Sequence, residues 1–183
     1  MKHRVYLRAL EPQDYEVSFE WRNDPEIRSM VGGHSYFVSK EKEKEWVHNT
    51  IFSNDRIVLA VCLVENDKYI GNVILQDIDY INGTGSVPVM IGDKGEWGKG
   101  YATEARFLML KFAFEERRLH RITDIVKEDN IRSIKLHEKC GYKKEGILRQ
   151  SIFKNGTYHN QVIMGLLKED FEEAYRNYIS QHS

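Results

Sequence analysis

Residues 97–105 read W-G-K-G-Y-A-T-E-A. They follow an apolar run at residues 87–91 and open a segment whose apolar side chains recur at helical spacing. The sequence thus predicts a strand, a glycine loop and a helix start in succession. Such a loop binds anions, because the first helical N–H groups have no intrahelical partner and the helix dipole adds partial positive charge. Gly98 and Gly100 allow the backbone to approach a phosphate closely.

The spacing of the loop excludes the two common nucleotide motifs. A P-loop requires G-x-x-x-x-G-K-[ST], but Asp93 stands at its first glycine and Gly100 at its Ser/Thr position. The dinucleotide fingerprint G-x-G-x-x-G fails at Thr103, and it belongs at the start of a βαβ unit rather than in mid-chain.

The loop resembles [RQ]-x-x-G-x-[GA], the pyrophosphate loop of the GNAT acetyltransferase superfamily. Gly100 and Ala102 fill its small positions, and Trp97 stands where Arg or Gln is usual. The stretch is a familiar variant in the branch that resembles ribosomal-protein and spermidine N-acetyltransferases. A glycine turn before a core helix is the alternative. The resemblance implies acetyl-CoA as co-substrate, held by Met90, Ile91, Gly92, Trp97, Gly98, Lys99, Gly100, Tyr101, Ala102 and Thr103.

Two later segments extend the resemblance. Residues 128–142 resemble the family segment E-x-N-x-x-[SA]-x-x-[LIV]-[YH]-E-K-x-G-[FY], which implies that Asn130 and Ser133 also contact CoA. A helix N-cap explains Asn130 equally well. Residues 145–160 look like the final hairpin of the same branch. Together the matches cover the chain from Arg4 to Phe171.

Composition sets the outer bounds. The 183 residues predict a single domain, 1–183, with 41% hydrophobic and 30% charged residues and a net charge of −1. No strong basic field is present for nucleic acid. Two cysteines make neither a disulfide framework nor a metal cluster and suit a reducing, cytoplasmic compartment. No signal peptide or apolar run of membrane-spanning length is present, so we expect no membrane and no metal, while self-association into a homo-oligomer stays open.

The order of the predicted strands and helices, which matches that of the family, predicts an α/β (α+β) fold of the GNAT type. Its central mixed sheet is mostly antiparallel, splayed in the middle and flanked by helices. Pro88 lies in the predicted strand 87–91 and has no N–H to donate to a neighbouring strand. In the family a bulge in this strand opens the gap that admits the pantetheine arm, and Pro88 is compatible with such a bulge. A plain edge strand is the alternative. Strands are predicted at residues 5–10, 57–64, 69–78, 87–91, 121–126, 142–149 and 157–166, and helices at 14–21, from Ser39, after the glycine loop, at 130–139 and at 169–179.

The implied chemistry is attack of a neutral amine on the thioester. A strand N–H near Met90–Ile91 is placed to stabilise the oxyanion. His137 stands where many relatives carry a tyrosine that protonates the thiolate; the alternative is that it only caps the helix or packs beside CoA. The family's strand glutamate falls on Ser86, so the base is unassigned; Asp77 and Asp79 are candidates, and each also reads as an ordinary strand-end or turn residue.

The acceptor pocket is predicted between the N-terminal helices and the last hairpin. Its candidate residues are Arg22, Asn23, His34, Tyr36 and Tyr158. The sequence thus predicts an acyltransferase that acetylates a primary amine of a peptide or small molecule. A peptide α-amine and a polyamine are the leading acceptors, followed by an amino sugar. A degenerate acyl-CoA-binding module is the non-catalytic alternative.

Overall fold

The computed structural model describes residues 3–30 and 37–182. Within these residues eight strands form one sheet and six α-helices pack against it. The strands are β1 (Val5–Ala9), β2 (Ile57–Leu63), β3 (Tyr69–Asp79), β4 (Thr84–Ser86), β5 (Val89–Ile91), β6 (Arg121–Lys127), β7 (Lys143–Lys154) and β8 (Thr157–Leu167). The helices are α1 (Tyr15–Asn23), α2 (Pro25–Met30), α3 (Lys40–Ile51), α4 (Tyr101–Lys111), α5 (Ile131–Lys139) and α6 (Lys168–Gln181).

The sheet divides in its middle. The strand order is β1-β2-β3-β4-β6-β8-β7, and β5 pairs with β3 off this path. β4 joins β6 in parallel, with Thr84 opposite Arg121 and Gly85 opposite Ile122, whereas every other pairing is antiparallel. Beyond Pro88 the chain pairs with β3 alone, so β5 and β6 diverge. This confirms the predicted splayed α/β sheet.

Two hydrophobic cores cover opposite faces of the sheet. The larger contains Val61, Phe107 and Phe171 and lies under α4 and α6. The smaller contains Ala60 and Trp21 and lies under α1, α2 and α3. Adjacent residues of β2 enter different cores because successive side chains of a strand point to opposite faces. The helices on the two faces therefore approach the gap from opposite sides.

The sequence predicts one strand at residues 87–91, paired with β3 across a tight turn. The structure instead has two short strands. β4 forms the hairpin, with Asp79 opposite Thr84, and β5 pairs further along β3, with Asn72 opposite Met90. Pro88 has no N–H for a continuous ladder, which explains the break between them. β7 also runs to Lys154, past the predicted end at residue 149, through two register shifts.

The predicted end signals of the helices are confirmed. The Ser39 hydroxyl accepts from Lys42 N at 3.2 Å, and the Asn130 side chain accepts from Ser133 N at 3.1 Å. Asn155 and Gly156 both have positive φ (51° and 81°), as a type I′ turn requires, and they close the hairpin expected within residues 145–160. Gly141 ends α5 with φ 93°, and a Cβ there would lie 2.7 Å from Asp170 O.

Candidate active site

A wedge-shaped gap separates β5 from β6. On the β3 side, Ile74 N donates to Pro88 O (2.9 Å) and Gly92 N donates to Ile70 O (2.8 Å). Because hydrogen-bonding directions alternate along a strand, Val89 and Ile91 turn their N–H groups toward the gap. Of the expected Met90–Ile91 pair, Ile91 therefore presents its amide to the gap, whereas Met90 faces β3; Val89, outside that pair, also presents its amide to the gap.

A cleft of about 1490 Å³ runs through this gap. Single ligands usually occupy cavities of about 300–1,000 Å³, so this volume is large enough for two substrates. On one face of the sheet the lining comes from α4 and α5, and on the other face from α1, α2 and α3. A reaction between two molecules that enter from opposite faces suits this shape.

The glycine loop lies at the end of β5 and has an unusual backbone. Gly98 and Gly100 have φ values of 77° and 88°, in the left-handed region that favours glycine. A Cβ at Gly98 would meet nothing within 4 Å. The Trp97 indole N–H donates to Ile91 O at 2.7 Å and fastens the loop to the strand. The amides at the start of α4 are thereby held at the cleft.

The structure brings most of the predicted cofactor residues to the cleft. Those that line it are Met90, Ile91, Trp97, Gly98, Gly100, Tyr101, Ala102, Thr103, Asn130 and Ser133. Gly92 and Lys99 are elsewhere. A Cβ at Gly92 would lie 2.0 Å from the Trp21 ring, so this glycine permits close packing. The Lys99 ammonium is 2.7 Å from the Glu96 carboxylate, and the Lys99 backbone carbonyl accepts a hydrogen bond from Arg4.

Glu104, which belongs to the stretch at residues 97–105, has a structural role. Its side chain is buried and accepts from Arg4 N (2.6 Å) and Arg4 Nε (3.1 Å), which attaches α4 to β1. Nothing in the local pattern marks it as buried, since its partner lies 100 residues away in sequence.

A buried ionic cluster lies at the apex of the gap, and sequence reasoning missed it. Asp124, on β6, accepts from Ser86 Oγ and Val87 N at 2.8 Å each and from Arg106 Nη1 at 3.2 Å. Asp124 and Arg106 are both almost fully buried. Pairing between β4 and β6 ends at Gly85, and the Asp124 carboxylate then takes the hydrogen bond of Val87 N that a strand neighbour would otherwise accept. Asp124 thereby stabilises the point at which the two strands separate. Burial opposes ionisation of Asp124, but His137, Arg106 and Ser86 hold its pKa well below the usual range.

His137 packs into this cluster. Its Nδ1 is 2.7 Å from Ser133 O, and its Nε2 is 3.3 Å from Asp124 Oδ2 without the alignment of a hydrogen bond. The Nδ1–H therefore donates to the carbonyl, and Nε2 is the nitrogen left without an aligned partner. Burial and the charge of Arg106 lower the pKa of His137, and Asp124 only partly opposes this. The ring lines the cleft with 2% of its surface exposed.

The lowered pKa of His137 predicts a pH dependence of stability. Below the unfolded value of 6.5 the unfolded chain takes up a proton that the folded chain resists, so the free energy of unfolding falls as pH drops from there toward the folded pKa. Denaturant unfolding from about pH 7 to about pH 5 measures this slope. The variant His137→Phe should show a shallower slope over this range, and parallel slopes for the two proteins would contradict the assignment.

The predicted acceptor residues separate into different environments. Arg22 lines the cleft, 3.2 Å from the buried carboxylate of Glu43 and over the ring of Trp46. The Asn23 amide bonds the backbone of Phe19 and Val38 and joins α1 to the segment before α3. Removing Arg22 would leave the Glu43 charge buried with Ser18 as its other hydrogen-bond partner, so Arg22→Ala is a poor probe of acceptor binding.

Of the remaining acceptor candidates, Tyr158 is described by the structure and does not line the cleft. Tyr158 lies near the tip of the β7–β8 hairpin, 63% exposed and in edge contact with Phe153. His34 and Tyr36 lie outside the described residues.

The candidate bases also differ in position. Asp77 lines the cleft and accepts from Gln76 at 3.2 Å. Asp79 accepts from Ile81 N and Asn82 N and closes the β3–β4 turn. Ser86, on which the sequence resemblance places the family's glutamate, donates to Asp124. Among residues 3–30 and 37–182 no cluster of His, Cys, Asp or Glu has the makings of a metal site, and no helix there is long and apolar enough to cross a membrane.

Comparison with known proteins agrees with this geometry. The family model for the acetyltransferase (GNAT) domain matches residues 4–143. The SPbeta prophage-derived uncharacterized N-acetyltransferase YokL of Bacillus subtilis is 32% identical over 91% of each chain. The putative ribosomal N-acetyltransferase YdaF of the same organism is 26% identical over 94% of this chain and 96% of its own. A crystal structure of spermidine N-acetyltransferase from Vibrio cholerae, in complex with CoA and spermine, superposes with a TM-score of 0.85 at 28% identity, covering 92% of this chain and 98% of that one.

Proposed function

We propose that this chain, which belongs to the GNAT acetyltransferase family, transfers the acetyl group of acetyl-CoA directly to a primary amine of a peptide or small molecule. The observation that supports direct transfer is the cleft that runs through the splayed sheet. Its α4 face offers the glycine-loop amides for the pyrophosphate, and its α1–α3 face is left for the acceptor. One site that holds both substrates removes the need for a covalent enzyme intermediate.

The cofactor half of the proposal relies on the backbone. The residues proposed to hold acetyl-CoA are those of the glycine loop and the start of α4, together with Asn130 and Ser133 on α5. The unpaired amides of Val89 and Ile91 suit the amide groups of the pantetheine arm and the thioester oxygen. A fixed N–H in a dry gap stabilises an oxyanion more than water does, because it needs no reorganisation.

Proton transfers complete the proposed reaction. The attacking amine must lose a proton, and Asp77 is the carboxylate in the cleft that we propose receives it through water. The leaving thiolate must gain one, and we propose that His137 supplies it in its imidazolium form, in which Nε2 carries a proton in addition to the Nδ1–H that donates to Ser133 O. The bond between the thioester carbon and sulfur breaks as the new amide bond forms, so acetyl transfer is balanced by release of CoA.

The alternative of a non-catalytic acyl-CoA-binding module has one observation in its favour: Ser86 occupies the position of the family's glutamate. A thiol-release assay with an alanyl peptide, spermidine and glucosamine separates the two. CoA release that requires an amine identifies an enzyme, and a mass increase of one acetyl group locates the product. Tight acetyl-CoA binding with no amine-dependent release would identify the module.

The role of His137 gives a separate prediction. If Nε2 protonates the thiolate, His137→Phe should lower kcat by ~10²-fold, the usual scale of general acid catalysis, with little change in acetyl-CoA affinity. His137→Tyr should recover part of the rate, because a phenol can serve as the acid. Steady-state kinetics with calorimetric binding as the control measure both effects. A kcat within about threefold of wild type for the Phe variant would assign the ring to packing of the buried cluster.

A further inference from the structure

Three cationic side chains meet on the acceptor side of the cleft. Lys154 on β7, Lys127 on β6 and Arg28 on α2 all line it. Lys154 is 3% exposed, and its ammonium donates to Arg28 O at 2.9 Å. The Lys127 side chain is 16% exposed. The charges of Lys127 and Arg28 both act on the Lys154 ammonium, and like charges in a cleft repel one another.

The acids around the cluster leave positive charge in excess. Asp129 is 3.2 Å from Lys127 and 3.7 Å from His159, and its side chain is 59% exposed. On the same side of the cleft Glu43 is paired with Arg22, and Glu26 lies 3.5 Å from Lys94. Asp129 is thus the carboxylate seen paired with a lysine of the cluster, while Glu128 accepts from Asn160 at 2.8 Å and Asp77, which also lines the cleft, accepts from Gln76. Burial, followed by the charges of Lys127 and Arg28, lowers the pKa of Lys154.

The Arg28 guanidinium can donate a further hydrogen bond. Its guanidinium lies over the Phe37 ring at 4.6 Å, and its Nε is buried with no hydrogen-bond partner among the described residues. A guanidinium stacked on an aromatic ring keeps its N–H edge available for a carboxylate. A buried donor without a partner costs free energy that a bound anion would recover.

We infer that Arg28, Lys127 and Lys154 form a subsite for a carboxylate carried by the acceptor, close to the amine that is acetylated. This deepens the proposed function and rests on it. The preferred acceptor is then a peptide α-amine followed by an acidic side chain, and a polyamine is disfavoured because it would add positive charge to this cluster. This preference would distinguish the chain from one of its structural neighbours, which was crystallised in complex with CoA and spermine.

Matched acceptors test the subsite. Three alanyl peptides that differ only in a second residue of glutamate, glutamine or lysine are compared with spermidine by CoA release. We expect kcat/KM to fall by about tenfold from the glutamate to the lysine peptide, with spermidine a poor acceptor. The preference should shrink as salt is raised, because the attraction is screened. Equal use of the three peptides, or spermidine as the best acceptor, would overturn the inference.

Variants locate the effect. Lys154→Met keeps the buried stem and removes the charge, and Arg28→Gln keeps a donor and removes the charge; each should reduce the discrimination to within about threefold, while acetyl-CoA affinity is unchanged. Lys144→Gln, an exposed lysine earlier on β7, is the control and should keep the full ranking. Loss of acetyl-CoA affinity in Lys154→Met would make the cluster a cofactor subsite and reject the inference.

Peptide binding separates this inference from the proposed function. Calorimetric titration of the three peptides into the CoA-bound protein should give the same ranking without any turnover. Binding in the expected order with no CoA release from any amine would reject only the proposed catalysis. Turnover without the expected ranking would reject only the carboxylate subsite.

Discussion

Gly100→Val is expected to abolish measurable acetyl-CoA binding. Gly100 precedes α4 with φ 88°, a conformation that a β-branched residue adopts only at substantial cost. A Cβ there would also lie 3.3 Å from Arg4 Nη2. The loop must therefore rearrange, and the amides at the start of α4 would no longer converge on the pyrophosphate. Isothermal calorimetry, with wild-type affinity expected in the micromolar range, measures the loss.

A control must distinguish lost acetyl-CoA binding from the loss of stability that any valine causes when it replaces a glycine with positive φ. Gly156→Val serves, since Gly156 has φ 81° in the β7–β8 turn and its Cβ would meet nothing within 4 Å. We expect that variant to lose stability and to bind acetyl-CoA normally. Wild-type affinity in a folded Gly100→Val protein, with its melting transition intact, would remove the loop from the cofactor site.

Asp124→Asn is expected to lower the free energy of unfolding by about 3 kcal/mol. The amide can still accept from Ser86 Oγ and Val87 N, but it leaves Arg106, 2% exposed, without its counter-charge. An unpaired buried charge costs far more than a lost surface ion pair. Chemical denaturation at neutral pH measures the difference.

Two further variants isolate the cause. Asp55→Asn removes an exposed carboxylate in the loop before β2 and should change stability by less than about 0.5 kcal/mol. Adding Arg106→Met to Asp124→Asn should restore much of the loss, because the unpaired charge is then gone. Additive losses in the double variant would mean that the two residues act independently. Stability from Asp124 should also disappear in acid, as pH falls from about 3.8 through its lowered folded pKa.

Much of the fold could be predicted from the sequence because it depends on interactions between residues that are close together in the chain. Alternating apolar residues, Asn155-Gly156 and the caps at Ser39 and Asn130 each act within a few residues, so each can be read from neighbours in the chain. Pro88 likewise forces an interruption wherever the strand lies. Three ordered motifs then indicated the family and located the glycine loop, because the glycine spacing constrains the backbone directly.

The roles of charged residues were decided by tertiary structure. Asp124, Arg106 and Ser86 lie in three different elements, and nothing local distinguishes Asp124 from a solvated strand residue. Arg22 and Asn23 resemble acceptor ligands in sequence but bond to Glu43 and to the backbone near Val38. What a charged side chain does depends on which partners the fold brings within about 4 Å and on how much water remains there. The sequence by itself therefore determined the sheet, its break and the glycine loop, whose causes are local; the buried cluster and the cationic acceptor subsite were decided only when distant strands and helices met at the gap.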